Sequence, residues 1–159
     1  MEAKNRMRRH DRALSLERSL EILEGDNFAV LGLALGDEPY CLPVNYVYHQ
    51  DKIYIHSAQE GKKIDWLKQS NRVCFTVSHM LGVVQADTLC KYSAHFESII
   101  VHGTAKVLHD FPEKREVIYA FARKFDADAD NVPMLEEQLD RVAVIEIEIE
   151  EINGKARYN

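Results

Sequence analysis

The chain has 159 residues, 46% of them hydrophobic, with 20 Lys and Arg against 26 Asp and Glu, a net charge of −6 and a pI near 5.6. Such a length and apolar content suit a single domain with a substantial core, and the acidic balance argues against a basic nucleic-acid-binding face. No apolar run reaches the roughly 18 residues of a membrane span, the N-terminus lacks the apolar core of a signal peptide, and the odd set Cys41, Cys74 and Cys90 has no CxxC spacing, so a cytoplasmic protein with reduced thiols is expected, without a disulfide framework or structural zinc.

Met1 to Asp11 is polar and basic and reads as an arm. Ser15 caps a helix through Glu24, with Leu16, Leu20, Ile22 and Leu23 as its apolar side and Gly25 as its stop. Phe28 to Leu35 is a strand, apolar on both faces and therefore central. Gly36-Asp37-Glu38-Pro39 is a turn. Tyr40 to Tyr48 is a strand whose Pro43 places it at an edge or a bulge, because proline removes a ladder donor. The turn His49-Gln50-Asp51 leads to a strand from Lys52 to His56, with Ile53 and Ile55 on one face and Tyr54 and His56 on the other.

Ser57 to Lys63 then runs into a helix of about Gly61 to Gln69. Two readings share these residues. In one, a hydroxyl, a glycine and two lysines at a helix N-terminus make an anion seat, since free backbone N–H groups and the dipole favour negative charge there. In the other, Ser57 is a plain helix cap and the lysines are a solvated face. Neither GxxxxGK[ST] nor GxGxxG occurs.

After a turn at Asn71, Arg72 to His79 is a strand with Val73, Phe75 and Val77 on one face. Met80 to Lys91 has no clear period and reads as a loop. Tyr92 to Leu108 is a long β-rich run, with a bulge or bend at Gly103. Pro112 starts a helix with Val117, Ile118, Phe121 and Ala122 on its apolar face. Asp126 to Asn131 is an acidic loop, and Met134 to Leu139 a short helix. Arg141 to Glu150 is a strand in which Ala143, Ile145, Ile147 and Ile149 are buried and Glu146, Glu148 and Glu150 face solvent. The fold class is therefore mainly β: a small antiparallel β-barrel with peripheral helices, over residues 1–159 as one domain. A barrel of this size is filled by its own side chains, so a sizeable ligand sits outside it or in a groove against a second subunit.

Four stretches carry a family resemblance, in order and over nearly the whole chain: Met7-Arg8-Arg9-x-Asp11-Arg12 with Ala29 to Leu33; Pro43 to Tyr48; Ile55-His56-Ser57-Ala58-x-x-Gly61-x-Lys63 with Asn71-Arg72-Val73; and Phe96 to Val101 with Gly103 and Ala105. In these the chain resembles the flavin-binding split-barrel proteins of the pyridoxamine 5'-phosphate oxidase-like superfamily, and within it the group that includes nitroimidazole-resistance reductases. The resemblance implies an FMN-binding split barrel, with FMN at a homodimer interface. It implies that Pro43, Val44, Asn45 and Tyr46 lie along the isoalloxazine ring. His56, Ser57 and Ala58 would follow the ribityl chain and phosphate, and Gly61, Lys62 and Lys63 would close on the phosphate. Glu97 and Ser98 would reach the site from the later strand, of the same or of the partner subunit. Two departures stand out: Lys62 replaces a frequent histidine, and His102 a frequent aromatic residue. The loop from Leu81 to Lys91 would border the substrate.

A flavin carries the electron chemistry while protein binds and orients it. The implied activity is oxidoreduction, with NAD(P)H as donor and a small nitroaromatic or quinone as acceptor. His56 is the one candidate for proton transfer, against a hydrogen-bonding role to phosphate or ribityl oxygens. Tyr46, Tyr48 and Tyr92 are packing residues or stacking partners, and Cys90 beside Lys91 is a reactive or an inert thiol. Ser93, His95 and Glu97 share a strand face and could form a polar wall. The histidines show no HExxH and no metal-like spacing, so no catalytic metal is expected. The alternatives are a flavin-binding or sensing protein without turnover, and a haem-binding relative.

Overall fold

The computed structural model describes residues 7–158. The remaining expected arm, residues 1–6, lies outside them. Six antiparallel strands close a barrel: β1 (Phe28–Leu35), β2 (Glu38–His49), β3 (Lys52–Ala58), β4 (Arg72–Val84), β5 (Ser93–Leu108) and β6 (Val142–Arg157), in the order β1-β2-β3-β6-β5-β4. Helices α1 (Leu16–Gly25), α2 (Lys62–Leu67), α3 (Phe111–Arg123) and α4 (Glu136–Leu139) lie around it. Among the described residues no helix is long and apolar enough to cross a membrane.

Period-2 alternation builds the barrel as expected. Leu31 and Leu33 of β1, Val44 and Tyr46 of β2, Ile53 and Ile55 of β3, Val73, Phe75 and Val77 of β4, Ile99 and Val101 of β5, and Ile145 and Ile147 of β6 make one buried cluster. A second cluster lies outside the barrel. Val47, Tyr54 and Val144 face outward and are covered by Val117, Ala120 and Phe121 of α3.

Several local expectations change. The first hairpin is tighter: Leu35 pairs with Glu38, leaving only Gly36-Asp37 in the turn. His49 pairs with Lys52, so the next turn is Gln50-Asp51, both at positive φ. α2 spans only Lys62–Leu67. Ser15 does cap α1, accepting from the Arg18 amide at 3.1 Å, but Leu16 is exposed. β4 continues to Val84, beyond the expected loop start, because β5 supplies its hydrogen-bond partners. β6 continues past Glu150 to Arg157 for the same reason. β1 has neighbours on both sides, but only one of its faces is buried; Phe28 and Val30 stand outward in solvent. Glu146 is buried rather than solvent-facing: Lys52 reaches it at 2.8 Å, Lys106 at 3.2 Å, and the Tyr54 hydroxyl donates to it at 3.2 Å.

The bulge expected at Gly103 is present, as a register shift between His102 and Gly103. A Cβ there would stand 2.1 Å from the Glu148 carbonyl oxygen, so only glycine allows β6 to pass so close.

Candidate functional site

β2 and β3 pair only from Tyr46↔Ile55 to His49↔Lys52. Beyond Ile55, β3 keeps β6 alone as its neighbour, with His56↔Val144, Ser57↔Ala143 and Ala58↔Val142. β2 keeps β1 alone, with Asn45↔Phe28, Val44↔Ala29 and Pro43↔Val30. The barrel wall therefore splits between Asn45 and His56. The Tyr46 amide donates to the Asn27 carbonyl at 3.0 Å. Ladder parity then turns the nitrogens of Pro43 and Pro39 away from β1, onto the open edge, where a missing N–H leaves no carbonyl unpaired. The edge reading of Pro43 is correct.

α2 closes this split. Ile64, Trp66 and Leu67 enter the barrel core, and Trp66 meets Tyr40 edge-on at 5.6 Å between centroids. Gly61 is the N-cap, at φ +116, a conformation side-chain-bearing residues rarely adopt. No side chain caps the helix, and the Ser57 hydroxyl donates instead to the Ala58 carbonyl at 2.9 Å. Ser57 is thus not the cap of α2.

The two lysines face different surroundings. Lys62 donates to Glu38 at 2.9 Å and lies over the rings of Tyr40 at 4.8 Å and Trp66 at 4.5 Å, pinning α2 to the start of β2. Lys63 is half-buried; burial lowers its pKa, and no acceptor meets it among the described residues. His56 projects outward and meets Phe121 edge-on at 4.7 Å. Its pKa is lowered by loss of water around the ring and by the charge of Lys63, so the imidazole is neutral at pH 7. A partly desolvated ammonium and a neutral imidazole thus stand together at one end of the split, while strand alternation turns the Ser57 side chain to the other face of β3. That donor set suits a phosphate, which carries about −1.5 to −2 charge.

Of the residues expected along a flavin ring, Val44 and Tyr46 point their side chains into the barrel and, by the same ladder parity, turn their backbone groups toward β1, so the open edge carries the backbone of Pro43 and Asn45 instead. Tyr46 packs on Phe75 at 4.9 Å and donates its hydroxyl to the Leu23 carbonyl at 2.6 Å, a packing role. Pro43 and Asn45 face outward, and Asn45 donates to the Asn27 carbonyl at 2.9 Å. On the same outer surface, Pro43, Val30, Thr76 and Ile100 follow one another across four strands. Ser98, opposite Ser78, also faces outward.

Glu97 does not share that face. It points into the barrel end, where Arg18 donates to it at 2.8 Å, the Tyr158 hydroxyl donates at 2.9 Å, and His79 Nδ1 stands at 3.3 Å. The other nitrogen of His79 is 2.5 Å from Asp26, and Lys124 donates to the Asp26 carbonyl. This polar plug joins α1, β4, β5 and the residues that follow α3 and β6, and it is not among the expectations from sequence. Its one sequence signal is parity: His79 continues the inward series Val73, Phe75, Val77. Of the wall of Ser93, His95 and Glu97, only Glu97 takes part in the plug. Cys90 is exposed on the 3-10 turn Leu89–Lys91.

Comparison with known proteins adds an independent line. A family model described as pyridoxamine 5'-phosphate oxidase matches residues 15–156. A flavocytochrome from Azotobacter vinelandii superposes with a TM-score of 0.88 at 23% identity, covering 100% of this chain and 75% of that one. A candidate 5-nitroimidazole antibiotic resistance protein from Bacteroides thetaiotaomicron gives 0.76 at 28% identity, covering 90% of this chain and 85% of that one. An FAD- and haem-binding protein from Mycobacterium smegmatis gives 0.82 at 18% identity, over 91% of this chain and 72% of that one. An uncharacterized protein of Rhizobium meliloti (strain 1021) is 27% identical over 67 residues, which is 42% of this chain and 44% of the relative's length.

Proposed function

This chain belongs to the pyridoxamine 5'-phosphate oxidase family, and on that premise we propose that it is an FMN-dependent oxidoreductase that works as a homodimer. The observation that carries the reading is Lys63, a half-buried ammonium without an acceptor among the described residues, beside His56 where the barrel wall splits. Lys63 is the main phosphate contact, and the backbone from Gly61 adds donors. The outer edge of β2, from Pro43 to Tyr46, supports the flat ring, with Asn45 at its polar rim. Ser98, on the shared outer surface, meets the ring from the second copy. Glu97 stays in the plug and holds the strand that presents Ser98.

Bound flavin would supply the electron transfer, from NAD(P)H to a small nitroaromatic or quinone acceptor. The residues of this chain bind, orient and shield. A neutral His56 accepts or donates one hydrogen bond at the ribityl chain and need not move a proton. The 28%-identical structure described as a candidate nitroimidazole-resistance protein supports the acceptor class.

The test is a visible spectrum of freshly purified protein, then addition of NADH or NADPH without oxygen. A yellow protein bleached by one nicotinamide, and restored by a nitroaromatic or quinone, is the expected result. Released cofactor chromatographing as FAD would correct the cofactor. A yellow protein that neither nicotinamide bleaches would be a binder or sensor. A second reading, haem binding, draws on the neighbours described as a flavocytochrome and as an FAD- and haem-binding protein. A haem band without flavin would replace the first reading with this one.

A further inference from the structure

One row along the outer surface from Pro43 and Val30, the register runs Cys41↔Gly32↔Cys74↔His102. Two thiols thus flank a residue with no side chain. The point where a Gly32 Cβ would sit is 3.7 Å from Cys41 Sγ and 3.6 Å from Cys74 Cβ, so the sulfur of Cys41 already leans over the gap. The surrounding hollow, about 360 Å³, is lined by Gly32, Cys41, Cys74, Arg72 and His102 among others. A disulfide does not fit there. Two strand spacings of about 4.8 Å place the backbones roughly 9.5 Å apart, and a disulfide needs Cα atoms within about 6.8 Å. A metal ion bridges a longer gap, because two thiolate–metal bonds of about 2.3 Å span roughly 4.6 Å between sulfurs.

We propose that Cys41 and Cys74 form a two-coordinate site for Cu(I), seated over Gly32 on the outer face of the barrel. Soft thiolates select this cation. Among the described residues no three His, Cys, Asp or Glu side chains converge to hold a metal, so the coordination is two sulfurs and not a cage. Binding forms two S–Cu bonds and releases both thiol protons to solvent, while copper stays monovalent. Both ligands bind as thiolates, so protons compete with the metal and uptake strengthens as pH rises. The site uses none of the residues from His56 to Lys63 and does not rest on the flavin reading.

The experiment is an anaerobic titration of the full chain, as purified, with the Cu(I)–bicinchoninate complex. One Cu(I) per chain should leave the dye, with two protons released. C41S and C74S should each abolish the transfer. G32A, whose methyl would crowd the gap that the metal spans, should weaken it, and C90S should leave it unchanged. X-ray absorption should show two sulfur neighbours and no nitrogen. No uptake by the wild type, uptake that survives in C41S, loss in C90S, or a nitrogen neighbour would each overturn the assignment. Cys41 is exposed, so C41S keeps its fold and decides the matter even if C74S does not.

Discussion

An ammonium half removed from water, with no acceptor among the described residues, is an unfavourable group that a phosphate would relieve, and Lys63 is in that position. Lys63→Ala should weaken FMN binding by about 1.5–3 kcal/mol, the range for hydrogen bonds to charged groups. That corresponds to roughly ten- to a hundredfold in Kd, read by fluorescence titration. Lys62→Ala removes an exposed pair with Glu38 and should cost FMN affinity far less. A larger loss for Lys62 than for Lys63 would place the phosphate elsewhere. His56→Ala should also lose FMN; if it keeps FMN and loses turnover, proton transfer is its role. The sequence marked both lysines, since both sit at the start of a helical pattern. It could not separate them, because Glu38, Tyr40 and Trp66, which engage Lys62, meet it only after folding.

At the scale of elements, the strands were legible wherever one face is buried, because alternation records burial directly. It failed where burial follows from pairing or cover. The arm from Met80 to Val84 carries exposed Met80, Leu81 and Val83, so it shows no apolar–polar period, yet β5 supplies its hydrogen bonds. Glu146 looks solvent-facing in its own strand and is buried only through Lys52, Lys106 and Tyr54. Gly103 was legible as a break in a long β run, and its reason is the carbonyl that would touch a Cβ at 2.1 Å. Gly103→Ala should therefore destabilise the protein by about 1–3 kcal/mol, as overpacking does. The measurement is the urea midpoint, and an unchanged midpoint would mean that β5 and β6 are not locked there.

At the scale of the whole molecule, the plug of His79, Asp26, Glu97, Arg18 and Tyr158 ties α1 and the residue that follows β6 to the barrel mouth, and its strength depends on charge. The hydrogen bond to Asp26, followed by the contact with Glu97, raises the His79 pKa despite some burial. For Glu97, burial pushes upward but the bonds from Arg18, Tyr158 and His79 outweigh it, so its pKa is lowered. Asp26 is lowered in the same way, chiefly by His79 and the amides of Asn27 and Phe28 against its burial. A raised histidine contributes stability fully below its unfolded pKa of about 6.5 and loses that contribution as pH climbs through the folded value. Lowered carboxylates contribute above about pH 4 and lose that contribution as pH falls through their folded values. The plug is thus strongest between roughly pH 4.3 and 6.5. His56, whose pKa is lowered, acts oppositely, withdrawing stability as pH falls below about 6.5, so the wild-type curve alone mixes the two. The difference between wild type and His79→Gln in urea unfolding isolates the plug. That advantage should be largest near pH 5–6 and shrink as pH rises past about 6.5. An advantage that stays constant across this range would mean that His79 acts by shape, not by its proton.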